Sequence, residues 1–222
     1  MPGTMKLTAS VRAVTIPADG IRLKGILSLP APACGVVLFA HGNASGRHSP
    51  RNNLVAAVLQ QAGLATLLLD LLEEREAADR GKVFDIDLLA DRCLSAASWL
   101  RERPETRELP LGYFGAGTGA AAALQAAARA PEEAWAVVSR GGRPDLAAEY
   151  LPHVHAPTLL IVGGYDYPVI RMNEEALTML RCPKELVIVP GATHLFEEPG
   201  ALEEVARLAR DWFRGYLGGV PL

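Results

Sequence analysis

The sequence predicts an α/β protein, built on a mostly parallel sheet with helices on both faces. Three observations point there. Short, wholly apolar runs, such as Gly35 to Ala40 and Ala65 to Leu69, mark strands buried on both faces. Stretches of helical periodicity alternate with these runs, which implies parallel crossovers. Half of the 222 residues are hydrophobic, enough to build a large core. No linker, repeat or composition break interrupts the series. Residues 1–222 are therefore expected to form one domain, and no long insertion after residue 139 offers a lid.

The elements follow in order. Alternation and β-branched content predict two opening strands at 7–16 and 21–29, joined by the Pro17-Ala-Asp-Gly20 turn. The strand 35–40 leads into a polar loop, His41-Gly-Asn-Ala-Ser-Gly-Arg-His-Ser-Pro50. A helix is expected from Asn52 to Ala62, stopped by Gly63, then a strand at 65–69 with Asp70 at its end. The charged stretch Glu73 to Arg80 precedes an amphipathic helix at 86–103. A strand at 110–114 and an alanine-rich helix to Ala130 come next, then strands near 135–139 and 158–162. A helix at 173–181, a strand at 185–189 and a final amphipathic helix at 200–216 close the chain.

Charge and composition narrow the function. A net charge of −3 gives no electrostatic reason to recruit nucleic acid or an anionic membrane. Cys34, Cys93 and Cys182 form no CxxC and no zinc pattern, as expected in a reducing cytosol. The N-terminus shows no apolar signal region, so a soluble, cytoplasmic protein is expected. His153 and His155 have no further ligands nearby and HExxH is absent, so no metal site is expected. The glycines at 115, 117 and 119 lack the dinucleotide spacing, so no nucleotide cofactor is expected.

Residues 111–119, Leu-Gly-Tyr-Phe-Gly-Ala-Gly-Thr-Gly, read as a strand entering a glycine-framed turn. The motif G-x-S-x-G holds a serine on a strained strand-to-helix turn with its hydroxyl clear of the backbone. Gly115 and Gly119 frame the turn here, and Gly117 occupies the serine's place. Asp166 follows the strand at 158–162 and His194 follows the strand at 185–189. All three positions lie at C-terminal strand ends, where crevices open in parallel sheets. An imidazole there needs a carboxylate to fix its tautomer and stabilise its cation, and Asp166 could supply it.

Together His41-Gly-Asn43, Gly115-Ala-Gly-Thr-Gly119, Gly163-Gly-Tyr-Asp166 and Gly191-Ala-Thr-His194 resemble the α/β-hydrolases of the dienelactone hydrolase-like group, over about residues 20–217. The resemblance implies an α/β-hydrolase fold and an enzyme for small-molecule esters or lactones, with the nucleophile, acid and histidine in that chain order. Its members carry serine or cysteine where this chain has Gly117. The backbone N–H of Thr118 is the implied first oxyanion-hole donor and Asn43 the second. Neither depends on a serine side chain.

Other residues carry less specific signals. Ser45, Ser49 and the three cysteines fall outside the motifs, and a water at Gly117 with His194 as its base is the better replacement for serine. Arg140 either orients a substrate carboxylate or bonds loop carbonyls or Asp145. Tyr165 and Tyr167 either wall the pocket, a shallow cleft, or pack on the helix beginning near Asn173. Gly117 itself admits three readings. It is a recent or engineered replacement of serine, which the survival of the other motifs favours. Alternatively it marks a pseudo-hydrolase that binds without turnover, or a serine-free site for water-mediated hydrolysis or C–C cleavage.

Overall fold

A computed structural model describes residues 10–41 and 46–218. The chain runs β1 (Ser10–Ala18), β2 (Ile21–Leu29), β3 (Gly35–His41), α1 (Pro50–Gln61), β4 (Leu64–Leu69), α2 (Glu74–Ala77), α3 (Arg80–Val83), α4 (Ile86–Arg101), β5 (Leu111–Ala116) and α5 (Thr118–Arg129). It continues through β6 (Ala134–Arg140), two 3₁₀ turns, β7 (Thr158–Gly163), α6 (Tyr167–Met179), β8 (Lys184–Val189) and α7 (Ala201–Leu217).

The strands form one sheet in the order β1-β2-β4-β3-β5-β6-β7-β8. β1 and β2 make an antiparallel hairpin, and β2 joins β4 antiparallel. From β4 to β8 every pairing is parallel. Asp19 and Gly20 both take positive φ at the hairpin turn, the backbone that matches strand twist.

β3 shows why the apolar runs are strands. Val36, Leu38 and Ala40 join the core under α4 and α5, while Val37 and Phe39 join the core under α1 and α7. The side-chain period of two thus delivers apolar groups to two covered faces. Because β4 lies on one side of β3 and β5 on the other, the crossovers after β3 and β4 leave on opposite faces. That switch opens a crevice at the C-terminal ends of β3 and β5. Among the described residues no helix is long and apolar enough to cross a membrane.

Two expectations need correction. α6 starts at Tyr167, not near Asn173, and ends at Met179. Asp166 takes its N-cap position and Pro168 falls in the first turn, where a missing N–H costs nothing. The charged stretch after β4 holds the short helices α2 and α3. Arg92 on α4 anchors it, donating to the Leu71 carbonyl at 2.6 Å and to both carboxylate oxygens of Glu76. Those bonds from Arg92 hold the Glu76 carboxyl down at about 2. Finally, His41 does not open the loop but ends β3, and it is buried.

Candidate active site

The elbow is set by how closely three pieces of backbone approach. A side-chain carbon on Gly115 would sit 2.4 Å from Cα of Ala120, and one on Gly119 would sit 2.3 Å from the carbonyl oxygen of Ala40. No residue with a β-carbon fits either place. Gly117 is different. It holds φ 57° and ψ −126°, a conformation that side chains rarely adopt, yet an added β-carbon there would meet nothing within 4 Å. The backbone turn that would strain a residue with a side chain, and the open space beside it, are both present in the glycine form.

The elbow carbonyl is tied down. Gly117 accepts from the backbone N–H groups of Arg143 (3.1 Å) and Ala120 (3.2 Å). Thr118 begins α5, so its N–H has no partner one turn earlier in the helix. Its hydroxyl is buried with no hydrogen-bond partner among the described residues. Asn43 lies outside the described residues.

Asp166 and His194 are brought together by the loops after β7 and β8. The amides of Gly164 and Tyr165 donate to the carbonyls of Val189 and Ala192, each at 2.9 Å. A β-carbon on Gly163 would lie 2.5 Å from the Thr193 carbonyl, so the two loops are in direct backbone contact. Phe196, buried at positive φ, pins the second loop into the core under α7. Glu198 accepts from the Thr193 amide and hydroxyl at 3.0 and 2.6 Å. Across this junction His194 Nδ1 lies 2.6 Å from Oδ2 of Asp166. The carboxylate side chain is 12% exposed and the imidazole 52%, so the ring faces outward from a shielded partner.

The turn after β6 completes the surroundings, although it belongs to none of the motifs. Gly141, at φ 50°, presents its Cα to His194, and a β-carbon there would lie 3.5 Å from the ring's Cε1. A β-carbon on Gly142 would overlap the Ser139 hydroxyl and the Ala120 methyl. Asn173, buried on α6, donates to the Gly142 carbonyl at 3.1 Å. The turn thus links α6, the histidine and the elbow carbonyl. Paired glycines before an arginine were the available clue.

The remaining residues distribute differently from expectation. Arg140 is buried, not on an open wall, with its guanidinium 6.0 Å from the Phe114 ring centroid. Asp145 pairs with Arg143 rather than Arg140. Burial, and then the nearby Arg51, push Arg140 down to about 10. Burial and then Arg140 push His41 down to about 3, so this imidazole is neutral, 2.9 Å from the Asn52 amide. Tyr165 and Tyr167 are exposed at 62% and 66%, at the rim beside Asp166, and Tyr167 belongs to α6 instead of packing on it. Ser49 caps α1. Cys34 and Cys182 precede β3 and β8, at the opposite edge of the sheet, and Cys93 is buried in the core.

Comparison with known proteins agrees with this architecture. The family model described as the dienelactone hydrolase family matches residues 28–215. The crystal structure of a dienelactone hydrolase from Anabaena variabilis is 59% identical, with a TM-score of 0.91 over 94% of this chain and 99% of that one. Est1E from Butyrivibrio proteoclasticus shares the fold at a TM-score of 0.80 and 16% identity, covering 93% of this chain and 99% of its own. A Mycobacterium tuberculosis protein named "Putative phosphoribosyl transferase Rv0571c" is 54% identical over 93% of this chain and 46% of its own length. The chain thus spans about half the length of that relative. With its fold, its strand order and this match across most of its length, the chain belongs to the dienelactone hydrolase family.

Proposed function

We propose that this chain carries the site of an ester or lactone hydrolase whose nucleophile position is held by Gly117, so that covalent acyl transfer is closed to it. The single observation that carries the reading is the Gly117 turn. It keeps the backbone conformation and the free space a serine would need, alongside a His194–Asp166 pair at 2.6 Å. In this reading the space at Gly117 admits water. His194 takes its proton while Asp166 accepts from Nδ1–H and stabilises the imidazolium. The water oxygen bonds to the acyl carbon, and the Thr118 N–H, with Asn43, holds the oxyanion. The bond to the leaving oxygen then breaks, and that oxygen takes the proton back from His194. Small acyl groups are the proposed substrates, because the histidine is half exposed and, among the described residues, no inserted element follows β6 before the 3₁₀ turns.

The test is Gly117→Ser. The parent chain is expected to show no acyl-enzyme burst and no labelling by serine-directed phosphonates. Residual catalysis of about 10³–10⁴ over water remains available from binding and the oxyanion donors. The serine form is expected to gain labelling and hydrolysis of p-nitrophenyl acetate, and to prefer it to long-chain esters. A folded serine form inert to every ester, lactone and phosphonate would defeat this reading in favour of binding without turnover.

A further inference from the structure

Asp166 occupies the N-cap position of α6, yet its side chain accepts no bond from the helix's first turn. An aspartate there ordinarily commits its carboxylate to the amide two or three residues on. Here the carboxylate goes to His194 instead, so helix capping lends the pair no rigidity. The imidazole is held by what surrounds it. One flank is the turn after β6, where a β-carbon on Gly141 would lie 3.6 Å from Nδ1 as well as 3.5 Å from Cε1.

Backbone bonds tie that turn on two sides. The Gly141 amide donates to the Ile161 carbonyl in β7 at 2.8 Å, and the Arg143 amide to the Gly117 carbonyl at 3.1 Å. The tie to α6 comes from a side chain, Asn173, whose Nδ2 donates to the Gly142 carbonyl at 3.1 Å. Asn173 stands about two turns along the same face of α6 from Asp166. It is fully buried, and Nδ2 also donates to the Val169 carbonyl at 2.8 Å. Two carbonyls facing one amide fix which end is nitrogen, since the flipped amide would set oxygen against oxygen. Its Oδ1 is left buried with no partner among the described residues. An acceptor in that state is costly, and a leucine would avoid the cost. Packing alone therefore gives no reason for an amide here, whereas the bond to Gly142 does.

We infer that Asn173 is a positioning residue for the His194–Asp166 pair. It ties the helix that carries Asp166 to the turn that abuts His194, so acid and imidazole keep one separation and the ring keeps its Nδ1–H tautomer. Without the tether the turn withdraws from the ring, and Nδ1 loses Asp166 for part of the time. The inference rests on the role proposed above for that pair, and its test reads the ring itself rather than turnover.

The readout is the tautomer of His194, taken from the ring nitrogen NMR resonances of the histidine-labelled chain in mildly alkaline buffer. The resonances are assigned by their loss in His194→Gln. The chain with Gly117 in place is expected to show the Nδ1–H form alone. Asn173→Leu and Asn173→Ala should each shift both ring nitrogens toward the averaged values of a mobile imidazole. Gly142→Ala displaces the turn from its other side and should do the same with Asn173 intact. Glu76→Gln, a destabilising change remote from the site, should leave the tautomer as it is. In the Gly117→Ser background, Asn173→Leu should lower kcat about tenfold to a hundredfold with KM unchanged, as a misplaced base does. A tautomer unmoved in the Asn173 and Gly142 variants, or moved as far by Glu76→Gln, would overturn the inference and leave the pair's role standing. A parent ring lacking the Nδ1–H form would overturn both. An inert serine form would defeat the hydrolase reading and leave the tautomer result as it is.

Discussion

The elbow after β5 and the turn after β6 are both glycine-rich, adjacent, and bonded to each other through the Gly117 carbonyl and the Arg143 amide. They use glycine for opposite reasons. Gly115, Gly119 and Gly142 are glycines because neighbouring atoms already occupy the place of a β-carbon. Gly117 and Gly141 are positions of positive φ, and at Gly117 the space is empty. A glycine that is sterically compelled cannot change without moving a strand or helix. One that is only conformationally favoured can be replaced at the cost of strain, so the elbow keeps its shape whichever residue stands at 117.

The largest effect expected from this contrast is at Gly119. Gly119→Ala places a methyl against the backbone of β3 and should destabilise the fold by about 3 kcal/mol or more, read from denaturant unfolding. A loss below about 1 kcal/mol would mean that α5 shifts freely, and the steric account would fail.

Gly142→Ala comes next, at about 1–3 kcal/mol, because the atoms it meets are the Ser139 hydroxyl and the Ala120 methyl. Adding Ser139→Ala removes one obstacle and should recover part of the loss. Additive losses would place the clash elsewhere.

Glu76→Gln should cost about 2 kcal/mol near neutral pH by leaving the buried Arg92 without its carboxylate. The folded Glu76 carboxyl titrates at about 2, below its usual value of 4.5. Its contribution is therefore complete above pH 4.5 and fades as pH falls toward 2. His41 acts in a higher window. Buried neutral and pushed down to about 3 from 6.5, it favours the fold fully above pH 6.5 and progressively less as pH falls toward 3. Between pH 6.5 and 4.5 only the histidine contributes of these two, so His41→Gln should flatten the melting temperature there while Glu76→Gln should not.

The smallest effect is at Gly117 itself. Gly117→Ala meets no atom and should cost only the positive-φ strain, at the low end of about 1–3 kcal/mol. Should it prove as damaging as Gly119→Ala, the distinction between compelled and favoured glycines would collapse.

The sequence by itself determined the succession of strands, the framing glycines and the placement of Asp166 and His194 at strand ends. Apolar runs of strand length, turn residues and motif spacing are local, and each is legible within a dozen residues. Even the start of α6 was in principle readable, since Asp166 before Tyr167-Pro168 is a capped first turn. Other features depended on elements far apart in the chain. Only the assembled sheet decided that Arg140 would be buried under Phe114, that Asp145 would bind Arg143, and that Tyr165 and Tyr167 would face solvent. The same is true of a cleft that draws Arg22, Leu23 and Lys24 from β2 and Leu71 and Arg75 from the segment after β4. Those strands are neighbours only because β2 pairs antiparallel with β4. Local chemistry writes the elements and their turns, whereas side-chain environment follows from which strands pair, and pairing is a property of the whole sheet.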